Sequence, residues 1–305
     1  MASTNFVVTS LPAYVQDNRD ILLKNFALVG DGTRSRISIQ TGIKKDAYIN
    51  FLDLSPVLQD GTACEFTPSG AATLTQRTIN TAAIKVDMDI CPRNLRGKYA
   101  EYLIRINATS EELPFEQYIM DGVVREINKK IENLIWKGDT SLTNNADLKW
   151  IDGFLKLAGA DNDVIDVTLL AANTAYQNVL LVYNALTEEA LERGAEIYVS
   201  PAIFRAFMQD MVSANFYHYN PGNDNFGEFL LPGTDVRVVR TPGLAGSTSI
   251  LGTFPANLYY GTDMEGDEED IDLWYSKDDR VFKLEALWNS GVQFAFPAHV
   301  VLGTV

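Results

Sequence analysis

"YIMDGVVREINKKIENLIWKGD", residues 118–139, decides how this chain is built. Together with the residues just before it, Phe115, Tyr118, Ile119, Val123, Ile127, Ile131, Leu134 and Ile135 recur at spacings of three and four. That spacing places them on one face of a helix, while Arg125, Glu126, Lys129, Lys130 and Glu132 fill the other. Thr109 with Glu112 three residues on forms a capping box, Pro114 suits the first turn, and Gly138 closes the helix. From Phe115 to Lys137, a rise of ~1.5 Å per residue gives a rod of roughly 34 Å, longer than most helices of globular domains. No residue in it is a nucleophile or a metal ligand of any recognisable motif, so length and packing are what it offers.

The chain around this rod has 305 residues, 46% of them hydrophobic and 10% aromatic, enough for one large core or two ordinary ones. Its formal charge of −15 repels phosphate and argues against a dedicated nucleic-acid binder. Cys64 and Cys91 show neither CxxC spacing nor a neighbouring histidine cluster. They fit free thiols in a reducing cytoplasm better than a zinc site, and a disulfide between them stays open. The first residues, "MASTNFVVTSLPAYVQDNRD", lack the basic start and apolar core of a signal peptide, and no apolar run reaches membrane-spanning length. A soluble protein made in the cytoplasm is expected.

Ahead of the rod, "YVQDNRDILLKNFALVG" is expected to form a short helix with Ile21, Leu22, Leu23, Phe26 and Leu28 on its apolar side and Gly30 as its stop. An extended arm or strand follows, carrying the basic residues Arg34, Arg36, Lys44 and Lys45. Residues 55–90 alternate at their ends (Val57 and Leu58; Ile84, Val86, Met88 and Ile90) around a middle of Thr, Ala and Gly. This pattern predicts a long two-stranded hairpin projecting from the body. A two-stranded ribbon is marginal alone in water, so it is expected to rest on a neighbouring subunit.

Beyond the rod, "TSLTNNADLKWIDGFLKLAG" is turn-rich. An α/β region follows: a helix from "TAYQNVLL" to Gly194, a strand "EIYVS", and a helix "PAIFRAFMQDMVSA" with Pro201 at its start. Then come a loop "NFYHYNPGNDNFGEFLLPG" and strands "VRVVR", "SILGTF" and "NLYYG". The end is expected as strand, turn at 277–279, strand, turn at 289–291, strand.

Chemistry is sparse. His218 falls in an aromatic loop and His299 in "FPAHVVL", which reads as a buried strand with a satisfied structural histidine. The chain contains no GxSxG elbow, phosphate loop, dinucleotide fingerprint or HExxH helix, so no catalytic residue, cofactor or metal site is assigned. The acidic run "GTDMEGDEEDIDLWYSKDD" contains Glu268, Glu269 and Asp270. It reads as a solvated turn, as a salt-sensitive contact to the basic arm of another subunit, or as a calcium site, although the EF-hand spacing is absent.

The order of these parts resembles, across essentially the whole chain, the major capsid proteins of tailed bacteriophages of the Hong Kong 97 type. The strings that carry the resemblance are "ENLIWKGD", "YVSPAIFRAFMQDM", "GTDVRVVRTPG", "ILGTFPANLYYGTDM" and "GVQFAFPAHVVLG". It implies an α+β fold with an N-terminal arm (1–45), an E-loop hairpin with flanking P-domain strands (46–92), and a P domain with the long spine helix (93–149). An A domain (150–262) and C-terminal P-domain strands (263–305) complete it. It further implies a non-enzymatic virion protein, assembled in the host cytoplasm as hexamers and pentamers into an icosahedral shell around double-stranded DNA. Portal, separate scaffolding and decoration proteins are the implied partners, and an encapsulin-type compartment shell is the alternative. Arg34, Arg36, Lys44, Lys45, Asp60, Glu65, Glu126, Lys129, Lys130, Glu268, Glu269 and Asp270 are then candidate intersubunit residues. Some relatives link a loop lysine to an asparagine with a catalytic glutamate. Here the middle of the loop has no lysine, Lys85 lies near its base, and Glu285 is an unpartnered candidate, so no crosslink is expected.

Overall fold

The computed structural model describes residues 32–58, 69–91, 115–144, 147–171, 174–214, 227–263 and 271–305. The long helix, α1 (Phe115–Lys137), has the expected limits. The expected capping box at 109–114, the expected helix of residues 14–30 and His218 lie outside the described residues. Ile127, Ile131, Leu134 and Ile135 are buried, as the periodicity requires. Glu132 is a correction: assigned to the solvent face, it is 7% exposed.

Among the described residues, α1 lies against a five-stranded sheet. In it, β1 (Ser38–Gln40) runs parallel to β10 (Leu258–Thr262), which pairs antiparallel with β12 (Val281–Phe294). β12 also pairs antiparallel with β11 (Ile271–Ser276) and β4 (Ala82–Ile90). A second sheet has the order β5 (Ile165–Thr168), β13 (Val301–Thr304), β9 (Ile250–Thr253), β6 (Glu196–Val199), β8 (Arg237–Arg240), β7 (Glu228–Leu230). It is covered by α3 (Ala175–Ala185) and α5 (Pro201–Ser213), which share a core with its central strands. The short α2 (Phe154–Ala160) bridges α1 and β12. A two-stranded ribbon of β2 (Asp46–Pro56) and β3 (Gly70–Asn80) completes the fold.

Several expectations change. The return strand of the hairpin is 70–80, and the alternating 82–90 instead joins β12. Both segments alternate, and pairing was decided by which partner offered a buried face. The expected single helix ending at Gly194 breaks at buried Leu186, whose ψ of 138° is extended. Thr187 then starts α4 (Glu188–Glu192), its side chain accepting from the Ala190 N–H at 3.3 Å. Glu228–Leu230, expected in a loop, is an edge strand. His299 sits in a 3₁₀ turn, Pro297–His299, instead of a strand.

The expected turn at 289–291 is absent because β12 runs straight through it. Its turn-like composition has another cause. A Cβ on Gly291 would lie 2.4 Å from the Asn80 carbonyl oxygen, so only glycine lets the end of β3 cross there. The Asn289 N–H and side-chain amide donate to the Asp263 carboxylate at 2.8 and 2.5 Å. β10 lies in the first sheet and the C-terminal β13 in the second.

The two sheets meet at the end of α1. Trp136, fully buried, stacks at 5.4 Å from Phe154 and 5.2 Å from Tyr198 of β6. Its indole N–H donates to Thr33 Oγ1 at 2.6 Å. Thr33 in turn donates from both its hydroxyl and, at 3.0 Å, its backbone N–H to the Glu132 carboxylate. Gly243, in the 3₁₀ turn Pro242–Leu244, closes the joint: a Cβ there would stand 2.4 Å from Trp136 Cδ1 and 2.5 Å from the Glu132 carbonyl. Gly243→Ala is therefore expected to destabilise the subunit by about 1–3 kcal/mol. Gly122→Ala, on the exposed face of α1 with nothing within 4 Å, should stabilise it by up to ~1 kcal/mol. Urea denaturation midpoints of the two variants should move in opposite directions.

Candidate intersubunit surface

The hairpin is held at its base, and among the described residues further out three large apolar side chains are exposed. Strands β2 and β3 pair from Asp46–Asn80 to Pro56–Gly70, eleven residues each. At ~3.4 Å per residue the ribbon reaches roughly 37 Å. At the base, Ile43, Ile49, Phe51 and Ile79 form a small core with Ala295, and the Phe51 ring lies 4.6 Å from Phe296. The Gln293 amide donates to the Thr78 carbonyl at 3.0 Å. Arg77 pairs with Asp161 at 2.5 Å. Further out, Leu74 is 71% exposed, Val57 55% and Leu58 99%.

That exposure is the functional signal. Scattered exposed leucines are ordinary, but three large apolar side chains on a projecting two-stranded ribbon have no core of their own to join. Burying each is worth about 1.5–3 kcal/mol when a partner surface covers it. Sequence pattern pointed to Val57 and Leu58 but missed Leu74, because the Thr- and Ala-rich 70–80 lacks the bulk of a typical strand.

Arg34 and Arg36 serve inside the subunit. Arg34, 1% exposed, donates to Asn128 Oδ1 at 2.7 Å. Burial pushes its guanidinium below the ordinary value against the pull of Tyr260 and Glu132. Arg36 bonds Glu196 at 3.0 Å and also pairs with Glu228. These contacts tie the arm to both α1 and the second sheet. Lys44 and Lys45 are exposed. On α1, Glu126 and Lys129 stand 3.9 Å apart, and Lys130 reaches Asp147 at 3.2 Å, all exposed, where such pairs contribute little. Asp60, Glu65, Glu268, Glu269, Asp270 and Cys64 lie outside the described residues, and Cys91 is a free thiol.

Glu285, expected to be unpartnered, is bonded by Lys85 at 2.9 Å. Glu285 and then Asp87 raise the Lys85 ammonium pKa above its ordinary value. His299 is satisfied by Thr187 Oγ1 at 2.8 Å and Glu189 at 3.2 Å. Among the described residues, no three of His, Cys, Asp or Glu are placed to hold a metal ion, and no helix is long and apolar enough to cross a membrane.

No family model and no curated protein matches the chain. Solved structures do. The satellite phage P4 procapsid including size determination (Sid) protein superposes with a TM-score of 0.59 over 95% of this chain and 98% of that one, at 10% identity. The capsid of an empty GTA particle gives 0.59 over 89% and 88%, at 12% identity. The virus-like particle from Pyrococcus furiosus gives 0.50 over 97% and 98%, at 9% identity. At such identities the likeness is one of fold: the chain has the mixed α+β architecture of Hong Kong 97-type capsid structures along nearly its whole length.

Two outcomes follow from the hairpin. Replacing Leu58 and Leu74 together by serine should leave the subunit's denaturation midpoint within error, because neither is buried within it, yet raise the concentration needed for self-association by at least about tenfold. The second concerns the clasp at its base. Burial raises the Asp161 carboxyl, but the bonds from Arg77 and the Asp163 N–H outweigh it and leave the pKa below the ordinary 3.8. A depressed carboxyl contributes stability above its unfolded value and loses it as pH falls through the folded one. Protection of the β2 and β3 amides from hydrogen exchange, measured relative to the intrinsic rate at each pH, should therefore fall below about pH 4, and Asp161→Asn should show the reduced protection already at neutral pH.

Proposed function

We propose that this chain is the major shell protein of a tailed phage, assembling as hexamers and pentamers into an icosahedral capsid around double-stranded DNA. The observation that carries this is the bare hairpin on a chain whose fold matches capsid subunits end to end. A ribbon that lacks burial in its own subunit is what a wall of repeating subunits supplies with burial. In this account residues 1–45 act as the arm, β2 and β3 as the E-loop across a neighbour, α1 with the first sheet as the P domain, and the second sheet with α3 and α5 as the A domain. Portal, separate scaffolding and decoration proteins are the partners such a shell requires.

Charge supports the same account. A subunit with net charge −15 holds DNA weakly, which suits a container whose contents slide in and out. Arg34 and Arg36 are engaged inside the subunit, and Lys44, Lys45, Asp60, Glu65, Glu126, Lys129, Lys130, Glu268, Glu269 and Asp270 are the charged residues proposed for contacts between subunits. The likeness to the Pyrococcus furiosus virus-like particle favours one second reading, an encapsulin-type compartment filled with protein.

Electron microscopy of the purified product distinguishes the three outcomes: closed DNA-containing shells support a capsid, small protein-filled shells support the compartment, and discrete soluble oligomers refute both. Mature particles should also dissociate to single subunits on a denaturing gel, since the middle of the hairpin, residues 59–80, contains no lysine. A covalent ladder would contradict that assignment.

A further inference from the structure

We propose that the first sheet binds an ordered water molecule at a buried polar site facing α1, formed by Tyr260 and Thr262 of β10 and Ser290 of β12. Thr262 and Ser290 are direct partners across the two strands, and Tyr260, two residues before Thr262, lies on the same face. That face meets α1: Tyr260 and Trp288 share a core with Val124, Ile127 and Ile131. Tyr260, Thr262 and Ser290 are all 0% exposed, and among the described residues none of their hydroxyl oxygens has a hydrogen-bond partner. The indole N–H of Trp288, two residues before Ser290, is in the same condition. Other buried polar side chains are bonded: Asn257 donates to Thr253 and to the Phe296 carbonyl, and Thr33 to Glu132. A buried hydroxyl without a partner is destabilising, so three on one small area of sheet call for a ligand that can both donate and accept.

Charge identifies that ligand as neutral. Burial raises the Tyr260 phenol pKa, Arg34 and then Ser290 oppose the rise, and the Asp263 and Glu132 carboxylates add to it, so all four side chains lie close to the Tyr260 hydroxyl. An anion there would face two carboxylates, and a cation would face the guanidinium. Size points the same way. Directly opposed residues on neighbouring strands have their Cβ atoms ~5 Å apart, which leaves the Thr262 and Ser290 hydroxyls room for one small molecule between them. A buried water typically makes about three hydrogen bonds to polar groups that lack other partners, and three hydroxyls converge here. Arg34 also donates to Asn128 of α1 at 2.7 Å, so the site lies where the N-terminal residues, the helix and the sheet come together. It belongs to the single subunit and stands whether or not shells form.

A crystal structure of the full chain at about 2 Å resolution or better, with a second data set collected after a bromide soak, tests the site. The expected result is a density peak within about 3 Å of Tyr260 Oη, Thr262 Oγ1 and Ser290 Oγ that carries no anomalous signal in bromide. Hydroxyls bonded directly to one another with no peak between them would overturn the proposal, and so would an anomalous bromide peak, which assigns the site to an anion. Stability gives an independent measurement through Tyr260→Phe, Thr262→Val, Ser290→Ala and the triple variant. Each single change strands a shared water and should lower the urea midpoint, whereas the triple removes the water with its partners and should lower it by clearly less than the sum of the three. Losses that simply add would overturn the proposal.

Discussion

One indole ring holds the subunit together. Trp136 touches the second sheet through Tyr198, the bridging helix α2 through Phe154, and the N-terminal residues through Thr33. The chain Trp136 to Thr33 to Glu132 also gives a buried carboxylate the donors it needs, since an unsatisfied buried charge is strongly destabilising. Because Gly243 brings the backbone against the same ring, the two sheets cannot shift at this point without opening the joint. A long helix fixed at one end to both sheets behaves as a beam, which explains a rod with no reactive residue along it.

Against this rigid body the hairpin is incomplete. Its base is tied by the Phe51 cluster, by Gln293 and by the Arg77–Asp161 pair, so its direction is set by the subunit. Its outer half carries Val57, Leu58 and Leu74 into solvent. A fixed direction with exposed apolar side chains at the outer end leaves those side chains open to contact from another surface.

The parts of the fold that could be read from the chain are those where local pattern and tertiary environment agree. The limits of α1 followed from a 3.6-residue apolar repeat over more than six turns. Pro201 marked the start of α5, and the structure adds a cap that the reading did not name, Ser200 accepting from the Ile203 N–H at 3.4 Å. Expectation failed where a distant neighbour sets the residue type. Asn289 and Gly291 look like a turn but answer to Asp263 and Asn80 crossing a straight strand. Glu132 looks solvent-facing until Thr33 arrives from 99 residues away. The break at Leu186 was hidden because the apolar repeat continues through it. At the candidate surface, Val57 and Leu58 were visible as apolar residues, but Arg34 and Arg36 looked like a free basic patch because their partners, Asn128, Glu196 and Glu228, are remote in sequence.

The account stands on the claim that the outer hairpin is buried by another copy of the same chain. A cryo-electron microscopy map of the purified assembly at side-chain resolution tests this directly. The account predicts Leu58 and Leu74 within van der Waals contact of a neighbouring subunit in every copy around each ring. A map showing the hairpin folded back on its own subunit, or both leucines facing solvent in a closed particle, would contradict it.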